Sequence, residues 1–174
     1  MTAADERGES SFGYADVKPL TDALLTEVHA ELGARLTAVA LYGSVARGEA
    51  HRWSDIDLFV AHRGDRETVS EAFLHAKLRL RDRPLARELT ARGVPTAPVA
   101  IYRSEEQLAD TPWLMLDMTH HGILLFDPRG VLGRKLARLR ARLEELGSRR
   151  IELDDGSWYW DLKPDLRPGE VVTL

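Results

Sequence analysis

The residues best equipped for chemistry are Gly43-Ser44 and, after ten intervening residues, Asp55-Ile56-Asp57. In context the chain reads Leu41-Tyr42-Gly43-Ser44-Val45-Ala46-Arg47-Gly48, then Ser54-Asp55-Ile56-Asp57-Leu58-Phe59-Val60. Successive side chains of an extended strand point to opposite faces, so Asp55 and Asp57 project from the same one. Two anionic oxygen ligands on a rigid strand suit a hard divalent cation such as magnesium. A Gly-Ser turn running into a helix offers backbone N–H groups, a hydroxyl and a favourable dipole to a phosphate. Ile56, Leu58, Phe59 and Val60 place the acidic pair at the start of a buried strand, where ionised carboxylates are costly unless something neutralises them. A phosphate cradle beside metal-binding carboxylates predicts transfer of a phosphorus-containing group from a nucleotide.

The surrounding pattern supplies elements to hold these groups. Residues 1 to about 15 are polar and expected to fray. From Pro19, apolar Leu20, Ala23, Leu24, Val28 and Leu32 recur at helical steps, predicting an amphipathic helix that ends near Gly33. Leu36 to Tyr42 reads as a first strand, Ser44 to Gly48 as a short helix, Glu49 to Trp53 as a loop and Asp55 to Ala61 as a second strand. Residues 66 to 92 read as one or two helices, with a break at Pro84.

Val99-Ala100-Ile101-Tyr102 predicts a third strand, and Ser104-Glu105-Glu106-Gln107 has the capping-box spacing that opens a short helix. Trp113 to His120 continues helical, and Gly122 to Phe126 is a fourth short strand. Leu132, Leu136, Leu139, Leu143 and Leu146 mark an amphipathic helix closed by Gly147. The tail, Trp158-Tyr159-Trp160-Asp161-Leu162-Lys163-Pro164 and then Pro168-Gly169, has too many aromatics for disorder and too many prolines for a helix; it is expected to lie extended on the body. Of the three consecutive aromatics, at least one must face away from what the others pack on. The fold class is α/β (α+β), a mixed sheet flanked by helices, with a main unit over 1–127 and a C-terminal helix and tail over 128–174 packed on the same body.

With 174 residues, 44% hydrophobic and 30% charged, the chain can bury the core of one compact domain. Zero cysteines exclude disulfides, thiolate metal sites and thiol nucleophiles. No apolar run approaches the ~18 residues of a membrane span and no signal-peptide pattern is visible, so no membrane partner and a cytoplasmic location are expected. The net charge of -4 gives no global pull toward nucleic acid, although Arg134, Lys135, Arg138, Arg140 and Arg142, with Arg149 and Arg150 beyond, make a local basic patch. That patch is open to two readings, a surface for RNA or an acidic partner and a solvated face opposite the leucine stripe.

Gly43-Ser44, the ten-residue gap, Asp55-x-Asp57 and Ala46-Arg47-Gly48 resemble the signature of the nucleotidyltransferase superfamily, the polymerase-beta-like fold, in particular its minimal nucleotidyltransferases. The resemblance is strong over residues 36 to 62 and looser on the flanks. It implies that Gly43 and Ser44 hold the β- and γ-phosphates of a nucleoside triphosphate, and that Asp55 and Asp57 carry two magnesium ions. It implies transfer of a nucleoside monophosphate, AMP from ATP, to a hydroxyl of a protein, an RNA or a small molecule, with release of pyrophosphate. Some members are antitoxins that adenylylate a tyrosine on a small helical toxin, so the resemblance implies a partner of that kind; this chain is longer than the simplest such antitoxins. Aminoglycoside-modifying relatives carry a larger helical acceptor domain that is not evident here.

Members that catalyse also present a third carboxylate on a neighbouring strand. Pro98-Val99-Ala100-Ile101-Tyr102 has none. Either a carboxylate arrives from elsewhere, with Asp161 the first candidate, or two suffice, or the protein binds nucleotide without turnover. Arg47 is placed to reach a phosphate or sugar, or to be a surface arginine. Ser54 is expected to cap its loop in preference to touching phosphate. Trp53 is equally suited to stacking on a base and to packing in the core.

Overall fold

The computed structural model describes residues 11–155 and 157–174. Six helices and six strands follow in the order α1 (Tyr14–Leu32), β1 (Leu36–Tyr42), α2 (Gly43–Arg47), β2 (Ile56–His62), α3 (Arg66–Arg81), α4 (Pro84–Ala91), β3 (Pro98–Ser104), α5 (Leu114–His121), β4 (Ile123–Phe126), α6 (Val131–Glu145), β5 (Arg149–Glu152) and β6 (Trp158–Asp161). β1 to β4 form one mixed sheet in the order β3-β2-β1-β4, with β1 antiparallel to β2 and β4, and β2 parallel to β3. The parallel pair requires a crossover, which α3 and α4 provide.

Strand alternation divides the core. Val39, Leu41, Ile56, Leu58 and Val60 face one way and pack with α1, α3 and α4; Ala38, Ala40, Phe59 and Ala61 face the other and pack with α5 and α6. Leu132, Leu136, Leu139 and Leu143 of α6 are buried in that second cluster. Pro84 opens α4 at its first position, where its missing N–H is harmless. The Ser104 and Gln107 side chains each accept from the other's backbone N–H, forming the expected box, although the element that follows, Glu106–Ala109, is a single 3-10 turn. Asp65 caps α3 by accepting from Thr68 N–H at 2.7 Å.

Two expectations need correcting. The first helix begins at Tyr14, five residues before Pro19, because Asp16 Oδ2 accepts the Gly13 N–H at 2.9 Å and Val17 adds to the buried stripe. Residues 12 to 15 are therefore ordered, and Phe12 also bridges Ala50 in both directions; residues 1–10 of the expected frayed segment lie outside the described residues. The tail is not simply extended: β5 and β6 pair as an antiparallel hairpin with Arg149 opposite Asp161 and Glu152 opposite Trp158. Trp160, Leu162 and Leu174 pack against the second cluster. Among the described residues no helix is long and apolar enough to cross a membrane.

Candidate active site

Because β1 and β2 are antiparallel, the end of β1 lies beside the start of β2, with Tyr42 opposite Asp57. The turn leaving β1 and the acidic pair entering β2 therefore meet without any long-range folding. Gly43 has φ of 73°, in the left-handed region, and an added Cβ would collide with Asp57 Oδ2 and lie 2.9 Å from its Cγ. The Asp57 carboxylate thus rests directly over the Gly43-Ser44 backbone. Gly48, with φ of 75°, closes α2 as expected.

Asp57 is half-buried and Asp55 exposed. Burial, and then the neighbouring Asp55 charge, push the Asp57 carboxyl above its ordinary range, with Arg47 pulling the other way. Burial, and then Asp57, push the Tyr42 phenol up to about 12. No ion pair among the described residues neutralises either carboxylate. Two oxygen-only donors without an ion-pair partner among the described residues, one held against a backbone cradle, fit a hard divalent cation.

Arg47 ends α2 with its side chain 17% exposed, its Nε 2.6 Å from Glu49 Oε2 and its guanidinium 4.9 Å from the Trp158 ring centroid. It is no free surface arginine. Ser54 Oγ accepts the His51 N–H at 3.0 Å, the loop cap that the sequence favoured. Trp53 is 76% exposed, with Arg52 stacked on it at 4.7 Å, and borders a cleft of about 270 Å³ that also touches Asp55. It is not a core residue.

Val99 is the register partner of Asp57 across the parallel β2–β3 pair, and alternation puts it on the same face. It is 44% exposed on the edge strand. On β3 this is the position directly beside Asp57, and a valine occupies it.

Asp161, the sequence candidate for that role, is not brought in. Among the described residues no group of three or more His, Asp or Glu side chains could hold a metal ion. Asp161 ends β6 on the hairpin face shared with exposed Tyr159, opposite the face that carries Trp158 and Trp160. The hairpin reaches the site by another route that sequence reasoning missed: Trp158 and Trp160 both donate their indole N–H to Asp117 on α5, and Arg47 and Arg150 lie over the Trp158 ring. The alternation Trp158-x-Trp160 was the available signal.

Much of the basic patch is occupied within the chain. Arg140 donates to Thr119 O, Lys135 to Ala109 O and Thr111 Oγ1, Arg134 to Arg129 O, and Arg142 to Thr173 O and Glu145.

A family model described as a nucleotidyltransferase domain matches residues 22–113, from within α1 to the residue before α5. Comparison with curated protein sequences finds no match. Solved structures with similarity include a toxin–antitoxin crystal structure with AMP-PNP, at 16% identity, 71% of this chain, 86% of that chain and a TM-score of 0.39. Two mutant forms of the toxin–antitoxin MntA–HpeT are also similar, one at 14% identity, 75% and 88% coverage and TM-score 0.37, the other at 13%, 71%, 89% and 0.33.

Proposed function

The chain belongs to the nucleotidyltransferase domain family, and from that premise we propose that it moves a nucleoside monophosphate, AMP from ATP, onto an acceptor hydroxyl in a magnesium-dependent reaction. One observation carries this reading: the Asp57 carboxylate packs on the Gly43 backbone, so phosphate-binding turn and cation-binding carboxylates form one unit. Gly43 and Ser44 hold the β- and γ-phosphates with backbone N–H groups and the Ser44 hydroxyl. Arg47 supplies positive charge toward the same phosphates. Asp55 and Asp57 would hold magnesium, which lowers the pKa of the acceptor hydroxyl and neutralises charge on the pyrophosphate. The acceptor oxygen bonds to the α-phosphorus, the bond from that phosphorus to the bridging oxygen breaks, pyrophosphate leaves with the electron pair, and the hydroxyl proton passes to solvent. The protein's contribution is positioning and fixed charge.

The acceptor belongs to a protein, an RNA or a small molecule. An antitoxin-type protein adenylyltransferase is the version we would test first, and a neighbouring gene for a small helical protein would single it out. Val99 opposite Asp57 favours a second reading, a nucleotide-binding module with weak or no turnover. Each of the four α-labelled nucleotides, incubated with magnesium, the protein and cell lysate, separates the two. Label transferred to a macromolecule or small molecule, and lost in Asp57→Ala, supports the enzyme. Tight magnesium–nucleotide binding without transfer supports the module, and failure to bind any magnesium–nucleotide removes both. Salt-sensitive nucleic-acid binding indifferent to Asp57→Ala would point instead to the basic helix.

A further inference from the structure

The C-terminal hairpin docks through two indoles that share one acceptor. Trp158 and Trp160 lie on the same face of β6, and their Nε1–H groups donate to Asp117 Oδ1 at 3.1 and 3.0 Å. One carboxylate oxygen thereby fixes the plane of the Trp158 ring. Two guanidinium groups lie over that ring, Arg150 from the hairpin itself at 4.4 Å and Arg47 from α2 at 4.9 Å. Each guanidinium also pairs with a carboxylate of this chain, Arg150 with Glu152 at 2.8 Å and Arg47 with Glu49 at 2.6 Å, so each reaches the ring partly neutralised. Among the described residues the buried Arg150 Nε has no acceptor.

The placement matters because Arg47 ends the one-turn helix that starts at Gly43-Ser44. Glu49 accepts from the Arg47 Nε, and a guanidinium lying over a ring keeps its remaining N–H groups in its own plane, where they can donate to phosphate oxygens. Prior stacking also removes part of the entropy that a long side chain would otherwise lose when the phosphate arrives.

We propose that Trp158 is a positioning residue for Arg47, oriented in turn by Asp117, so that the C-terminal hairpin completes the binding site for the triphosphate of a magnesium–nucleotide. This deepens the proposed function and rests on it. The hairpin serves the site through an aromatic ring and not through the carboxylate of Asp161.

The test is a double-mutant cycle read by titration calorimetry with magnesium–ATP, on full-length protein whose folding is checked by thermal melts. Trp158→Ala should weaken binding about fivefold, the loss of one partly buried cation–π contact, and Trp158→Phe, which keeps a ring face but loses the hydrogen bond to Asp117, should fall between wild type and the alanine variant. In an Arg47→Ala background, Trp158→Ala should cost nothing further, since its partner is already gone. An equal loss with and without Arg47, or no loss at all, overturns the proposal while leaving the nucleotide reading intact. If the wild type binds no magnesium–nucleotide, the functional reading itself falls and this proposal with it. Should the alanine variant unfold, Trp158→Leu, which keeps apolar contact for the hairpin, runs the same cycle.

Discussion

Gly43 and Asp57 share a space that admits only one side chain: the Asp57 carboxylate fills the place where a Cβ on residue 43 would stand. Gly43→Ala must therefore displace the carboxylate and also hold alanine at a φ of 73°. We expect a loss of about 2–4 kcal/mol, combining left-handed backbone strain with overpacking. Gly48→Ala is the matched comparison, because its φ is 75° but nothing lies within 4 Å of the added methyl, so it should cost only about 1–2 kcal/mol. Urea melts of the two variants give both numbers. Equal costs would mean that Asp57 moves aside freely, and the turn and the acidic pair would then be neighbours without being a unit.

The Asp57 carboxyl is pushed upward by burial and by Asp55, with Arg47 opposing. An acid whose native pKa is raised binds its proton more tightly folded than unfolded. Its ionisation therefore costs stability above the raised native value, and that cost is relieved as pH falls through that value toward the ordinary 3.8. Asp57→Asn should be at least as stable as wild type at pH 7 in the absence of magnesium and should lose the slope in that acid window. The same substitution should lower nucleotidyl transfer by about two orders of magnitude or more, since charge stabilisation at the reacting phosphate is lost. Thermal melts across pH, paired with transfer assays, check both halves. A variant less stable than wild type at every pH would show that the carboxylate holds the fold together.

What could be read in the sequence was local. β1 ran from Leu36 to Tyr42 as expected, because an apolar run meeting Gly-Ser leaves little freedom. The junction of turn and acidic pair was legible for the same reason: two antiparallel neighbours in sequence bring their facing ends together automatically. The early start of α1 was missed because its capping residue is Gly13, which has no side chain to announce it. The hairpin did have a signal, since Asp155-Gly156 lies between two runs that alternate, but the proline-rich residues after it dominated the reading. Asp117 could not have been found, because its pairing with Trp158 spans 41 residues and depends on how α5 packs. Trp53 and Val99 gained meaning only from exposure and strand register.

His62 closes β2 at the far end from the acidic pair, 2% exposed, and among the described residues neither of its ring nitrogens has a hydrogen-bond partner. Burial holds its pKa below 6.5; the nearby backbone of Arg63 and Gly64 favours the charged ring, but not enough to offset burial. A base with a lowered native pKa is protonated more readily in the unfolded chain, so stability is lost as pH falls below the ordinary 6.5 and is regained as pH rises through it. His62→Leu should flatten denaturant-melt stability over that window. At pH 7 it should be neutral or stabilising by about 1 kcal/mol, because it removes two unsatisfied polar atoms. A slope unchanged by the substitution would assign the acid sensitivity to other groups.

Val99 holds the position opposite Asp57 and is exposed enough, at 44%, to accept a charged replacement without disturbing the core. Val99→Asp puts a third carboxylate on the face that already carries Asp55 and Asp57. Without magnesium, the added like charge should destabilise the protein by about 1 kcal/mol, the cost of a same-sign cross-strand pair. With magnesium, the third oxygen ligand should tighten cation binding by about tenfold or more, and transfer should rise if activation of the acceptor hydroxyl is the slow step. Calorimetric titration with magnesium and single-turnover transfer rates measure the two effects separately. Tighter magnesium without faster transfer would mean that two carboxylates already suffice for this acceptor. No change in either would mean that the cation does not sit between β2 and β3.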